Sequence, residues 1–142
     1  MKENAESLSA FFAESVERAE NVRVVVSDRF KDANGNPIKW EFKPLPSSEV
    51  GAVRKLCYIK DANGRRVLDE EALAARCLAL SIVYPDLTDA ELQASYNARN
   101  AQDLLNNMLY LNEYNKASEV FNKMNLAGSE NFTEHIDAVK NS

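Results

Sequence analysis

The chain is short of the residues that punctuate a fold and of those that catalyse. Its 142 residues include only 4 Gly and 4 Pro, too few for an all-β fold whose short strands each need a tight turn. Gly35, Gly51, Gly64 and Gly128 stand alone, so there is no glycine-rich phosphate loop. Cys57 and Cys77 are too few and too far apart for a zinc site of the CxxC kind, and read as reduced, buried thiols. The one histidine, His135, lies in a polar tail with nothing arranged as a nucleophilic triad around it. No apolar run approaches the ~20 residues of a membrane span. The N-terminus, MKENAESLSAFF, carries Glu3 and Glu6 and lacks the apolar stretch of a signal peptide. The expectation is a cytoplasmic protein with no enzymatic activity, no cofactor, no metal and no membrane contact.

Charge is unevenly spread. Residues 22–60 hold 8 Lys/Arg against 4 Asp/Glu, whereas the rest hold 9 against 18. An acidic remainder argues against nucleic acid, which wants a concentrated basic face. The alternative kept open is a nucleic-acid-binding accessory protein that uses the basic 22–60 region.

One short stretch occurs twice, as KDANGNP from Lys31 and KDANGRR from Lys60. A calcium loop of the EF-hand type would need Gly at its sixth position and Glu at its twelfth. Counted from Asp32 these are Pro37 and Lys43, and from Asp61 they are Arg66 and Ala72. Both copies therefore read as turns. The first separates VRVVVSDRF (22–30) from IKWEFK (38–43), two segments that alternate with strand period. Asn-Gly accepts the backbone of a hairpin turn, so residues 22–43 are expected to form a β-hairpin. The second is expected to end a helix that starts near Ser47 and runs to Tyr58.

Helical spacing dominates the rest. Leu8, Phe11, Phe12, Ser15 and Ala19 mark a short amphipathic helix over 7–19. Asp69 is a good N-cap for a helix running to Tyr84, and Pro85 closes it. Thr88 and Glu91 have the spacing of a capping box, flanked by Leu87 and Leu92. Leu104, Leu105, Met108 and Leu109, then Tyr114, Ala117, Val120, Phe121 and Met124, continue a helical stripe broken near Leu111. Phe132, Ile136 and Val139 mark a last helix. The predicted architecture is α+β and mostly α: an N-terminal helix and a β-hairpin packed on a bundle of about five helices. Residues 1–126 form one globular domain and 127–142 a helical tail.

More apolar stripe is present than one small core needs, which points to a protein partner. The candidate partner-facing residues are Tyr110, Tyr114, Phe121 and Met124, followed by Leu8, Phe11 and Phe12. Met and aromatic side chains at such spacing suit a groove for a partner helix.

The order VVVSDRF, IKWEF, LCYIK, VYPDLTDAELQASY and LLNNMLYLNEY resembles the XkdN-like phage tail assembly chaperones over about residues 22–125. Asn97 and Asn112 stand where that family pattern leads one to look for Gly. The resemblance implies a non-catalytic assembly factor of a long-tailed phage or prophage. Such a chaperone binds the tape measure protein, helps tail tube protein polymerise around it, works in the host cytoplasm and is absent from the finished virion. Many members are also made in a longer, frameshifted form. Use in many copies makes a homo-oligomer a further expectation.

Overall fold

The computed structural model describes residues 7–126. The helix expected around Phe132, Ile136 and Val139 lies outside the described residues.

The architecture is α+β and mostly α. Five strands and five α-helices follow in the order β1 (Val22–Val24), β2 (Trp40–Phe42), α1 (Ser47–Lys55), β3 (Tyr58–Lys60), β4 (Arg66–Leu68), α2 (Glu70–Ser81), β5 (Ile82–Tyr84), α3 (Ala90–Ser95), α4 (Ala101–Met108) and α5 (Leu111–Asn125). One antiparallel sheet has the order β1-β2-β5, and β3-β4 form a separate hairpin.

The first hairpin forms where expected, with Val22 opposite Phe42 and Val24 opposite Trp40. The alternation of IKWEFK holds: Trp40 and Phe42 are 1% and 0% exposed, while Glu41 faces outward. Strand 22–30 is shorter than predicted. After Val24 the chain leaves the sheet, so that Val26 and Ser27 turn into the interior. The remainder of the hairpin narrows again at Lys31 and Pro37, where DANG makes the turn.

The second DANG overturns one expectation. It does not end a helix. α1 stops at Lys55, and DANG instead turns a hairpin between β3 and β4. The two turns are the same object. In each, the Asp Oδ1 accepts from the backbone N–H groups two and four residues on, at 2.8 and 3.0 Å for Asp32 and 2.8 and 2.9 Å for Asp61. Only the glycine takes a positive φ, +83° at Gly35 and +80° at Gly64. Local Asx bonding explains the repeated sequence.

Three further boundaries differ. The α2 helix ends at Ser81 rather than Tyr84, because Ile82–Tyr84 pairs with β2 as the third strand of the sheet. Ile, Val and Tyr fit a pleated surface, and this sheet offers them a partner. Asp69 does cap α2, accepting from Ala72 N–H at 3.1 Å. The cap of α3 is Asp89, which accepts from Leu92 N–H at 2.8 Å, not the Thr88–Glu91 box. Thr88 is engaged two residues back, with its N–H and hydroxyl both donating to Asp86 Oδ1. Lastly, residues 7–19 do not form an α-helix. A single 3-10 turn spans Leu8–Phe11, and every side chain from 7 to 21 is exposed. An amphipathic helix needs a surface to lie on, and none is offered there.

The core lies between the sheet and the helices. Trp40, Phe42, Leu78, Ile82, Leu104 and Leu105 meet there, with Phe30 tilted against Trp40 at 5.8 Å between ring centres. α2 is the central element, packing on α1, α4 and α5. Burial lifts the Cys77 thiol above its ordinary value, and both cysteines are free and buried. Asn97, at φ +55°, supplies the left-handed residue just past α3. It stands where the family pattern suggested Gly, and Asn tolerates that backbone well.

Candidate partner-binding surface

The surface is organised by one polar joint. In the first hairpin, the arm after β1 carries Ser27 and Arg29. At the start of α5 stands Glu113, 9% exposed. Its carboxylate accepts from Arg29 Nε at 2.8 Å, Arg29 Nη2 at 2.5 Å, Ser27 Oγ at 2.5 Å and Tyr110 N–H at 2.8 Å. Arg29 Nη2 also donates to the Met108 carbonyl, which the end of α4 leaves without a helical partner. The guanidinium lies over the rings of Phe30 and Tyr110, at 4.9 and 4.7 Å from their centres. Hydrogen bonding to Arg29, with Ser27 and the Tyr110 N–H behind it, outweighs desolvation and holds the Glu113 carboxyl down at about 2. The sequence reading missed this joint. Its partners are 84 residues apart, and the only local sign was a Glu at the third position of a helix, where it can cap.

Around the joint, α5 presents its apolar side. Tyr110 is 67% exposed, and its ring is in contact with Arg29. Tyr114, Phe121 and Met124 are half-buried and packed against the core, so they are lining rather than free surface. Burial raises the Tyr114 hydroxyl accordingly. Three of the shallow clefts that flank the helix each take one of these residues. Tyr114 lines a cleft of about 520 Å³ with Leu109 and Leu111. Phe121 lines one of about 590 Å³ with Leu45, Val50, Leu73 and Leu126. Met124 lines a third, about 520 Å³, with Val22, Val24, Pro44 and Val120. The expected single stripe is thus divided among three grooves.

The third groove runs into the N-terminal segment, since Ala19 and Glu20 also line it. That segment holds Leu8, Phe11 (75% exposed), Phe12 and Val16, all uncovered. A second uncovered apolar group is the β3–β4 hairpin, with Leu56, Ile59 and Val67 outward and Arg66 over the Tyr58 ring at 4.1 Å.

The basic 22–60 region is partly spent inside the molecule. Arg23 pairs with Glu41 at 3.3 Å and Arg29 with Glu113. Among the described residues no three His, Cys, Asp or Glu side chains gather as metal ligands would. Within the same residues, no helix is long and apolar enough to cross a membrane.

Fold and surface together define a class: a small α+β protein that offers apolar grooves and uncovered apolar side chains. Comparison with known proteins makes the class specific. The model of the phage XkdN-like tail assembly chaperone proteins matches residues 8–140, and the chain belongs to that family. It is 30% identical over 127 residues to the phage-like element PBSX protein XkdN of Bacillus subtilis (strain 168), with 83% of this chain and 86% of that one aligned. It is 29% identical, also over 127 residues, to the uncharacterized protein YqbN of the same strain, covering 83% and 85%. The crystal structure of YqbN superposes with a TM-score of 0.74 at 25% identity, over 84% of this chain and 95% of that one. The protein is a phage tail assembly chaperone by family.

Proposed function

We propose that the protein binds the tape measure protein of its tail, keeps it soluble, and helps tail tube subunits polymerise around it. The observation that carries this reading is the uncovered apolar segment Leu8, Phe11, Phe12 and Val16 beside the groove of Val22, Val24, Pro44, Val120 and Met124. A tape measure protein is a long chain whose apolar helical stripes aggregate when left bare. An apolar groove accepts such a stripe, and a neighbouring segment with uncovered apolar side chains can close over it. Tyr110, Tyr114 and Phe121 extend the apolar side of α5 beyond this groove. Many copies with weak individual contacts cover a long partner yet release it as the tube arrives.

The reading places the protein in the host cytoplasm, without catalytic work and outside the finished virion. Fractionation of infected or induced cells, with purified tails probed for the chain, tests that placement. Co-expression with the tape measure protein tests binding. Soluble tape measure protein and co-purification are expected. Insolubility with no co-purification overturns the proposal.

A further inference from the structure

The β3–β4 hairpin and the end strand β5 stand at opposite ends of the central helix. β4 enters α2 through Asp69, whose N–H donates to the Cys57 carbonyl at 2.7 Å and fixes the base of the hairpin. β5 leaves α2 directly after Ser81. The 12 residues of α2 hold the two about 18 Å apart. No residue from 55 to 68 or from 80 to 91 lines the three grooves along α5, so neither surface competes with them.

Their charges are opposite. Residues 55–68 carry Lys55, Lys60, Arg65 and Arg66 against Asp61 alone, whose carboxylate is already used by the turn. Residues 80–91 carry Asp86, Asp89 and Glu91 and no Lys or Arg. These four basic and three acidic groups are all exposed, and among the described residues none of them is in an ion pair. Both surfaces also leave apolar side chains bare: Leu56, Ile59 and Val67 on and beside the hairpin, Leu80, Val83 and Tyr84 around β5. Both have an unpaired strand edge, since β5 ends its sheet and the hairpin has only two strands. Such edges pair readily with another chain. Within the hairpin, Lys60 stands directly opposite Arg66. Like charges so placed destabilise a hairpin, and a carboxylate from outside offsets that cost. The aromatic ring of the hairpin, Tyr58, already lies against Arg66, and the other bare side chains are aliphatic, which suits a protein surface rather than stacked bases.

We infer that the β3–β4 hairpin of one copy docks on β5 and the turn at residues 86–91 of a second copy, its basic side chains meeting the carboxylates and its apolar ones closing against Val83 and Tyr84. Copies touch through unlike surfaces, so the same contact closes a pair or a ring or runs on as a chain. Two hairpins together would set basic against basic, and two β5 surfaces acidic against acidic. The inference goes beyond the tape measure reading and rests on it only for its purpose: linked copies offer their α5 grooves together, and a long partner is then held by many weak contacts at once.

Sedimentation velocity on the full-length protein tests this without any phage partner. The wild type is expected to sediment faster as its concentration rises over about two decades, and to associate less at about 0.5 M salt, where exposed charges are screened. Reversing the hairpin with Lys60→Glu/Arg66→Glu, or the β5 surface with Val83→Lys/Glu91→Lys, should each weaken association about tenfold. An equal mixture of the two variants restores it, because each then meets the opposite charge. Thermal melts that match the wild type show that both variants keep the fold, and the salt dependence of the wild type needs no variant. A wild type that stays monomeric at every concentration overturns the inference. So does association that survives both reversals, or a mixture no better than its parts. Retention of a monomeric wild type on nucleic acid assigns the basic hairpin to that partner and overturns it too. Failure here leaves tape measure binding standing, since the grooves of a single copy bind whether or not copies link, and failed co-purification with the tape measure protein leaves the self-association standing.

Discussion

The same four residues, DANG, turn two hairpins that meet opposite fates. Asp32 and Asp61 accept the same two backbone bonds, and Gly35 and Gly64 share one backbone conformation. Yet the first hairpin buries Trp40 and Phe42, gains β5 as a third strand, and is bolted to α5 through Arg29 and Glu113. The second has only two strands, and nearly every side chain in it is exposed. A turn is a local property, satisfied by its own backbone and one carboxylate. Burial depends on what the rest of the chain brings to the strands.

The sharpest way to break this contrast is to truncate one large residue in each hairpin. Trp40→Ala should cost about 3–5 kcal/mol, whereas Ile59→Ala, at a half-exposed position, should cost under about 1 kcal/mol. Urea unfolding of both variants checks this, and equal losses would mean that the second hairpin is as firmly packed as the first.

Removing the bolt comes next. Glu113→Ala strips Ser27, Arg29 and the Tyr110 N–H of their shared acceptor, and should cost about 2–4 kcal/mol. The joint also sets a pH dependence. The folded carboxyl titrates near 2 and the unfolded one near ~4.3, so the unfolded chain takes the proton first as pH falls. The stabilisation is complete above about pH 5 and is lost progressively toward pH 2. Thermal melts from pH 7 to pH 2 should show a shallower decline in Glu113→Gln than in the wild type.

The turns themselves should respond alike. No atom lies within 4 Å of a Cβ built on Gly35 or Gly64, so Gly→Ala is a backbone cost alone, about 1–2 kcal/mol. A clear loss in Gly35→Ala with none in Gly64→Ala would show that the second hairpin opens locally instead of straining the domain. The smallest effect on stability belongs to the N-terminal segment. Phe11→Asp/Phe12→Asp should shift the midpoint by no more than about 0.5 kcal/mol, while co-purification of tape measure protein falls away. A large loss of stability would instead make that segment part of the packed structure.

Much of this arrangement was legible in the residues. Strand alternation placed Trp40 and Phe42 inside, the Asp69 cap placed the start of α2, and the first DANG was read as a hairpin turn. Errors came where a second element decided the outcome. Tyr58–Lys60 and Ile82–Tyr84 continue helical spacing, and became strands because Arg66–Leu68 and Trp40–Phe42 lie beside them. Their β-branched and aromatic residues were the available signal. The candidate surface was less legible, since spacing shows which residues share a helix face but not which neighbours divide that face into grooves.

By itself the sequence determined the Asp69 cap, the first hairpin turn, the strand alternation of Trp40 and Phe42 and the family, because each rests on residues near one another or on their order along the chain. Only the tertiary structure decided that a carboxylate near the start of α5 would hold an arginine 84 positions earlier. It also decided which apolar side chains stay uncovered. The reason is physical: a buried charge and a bare apolar face are settled by whatever packs against them, and that comes from distant parts of the chain.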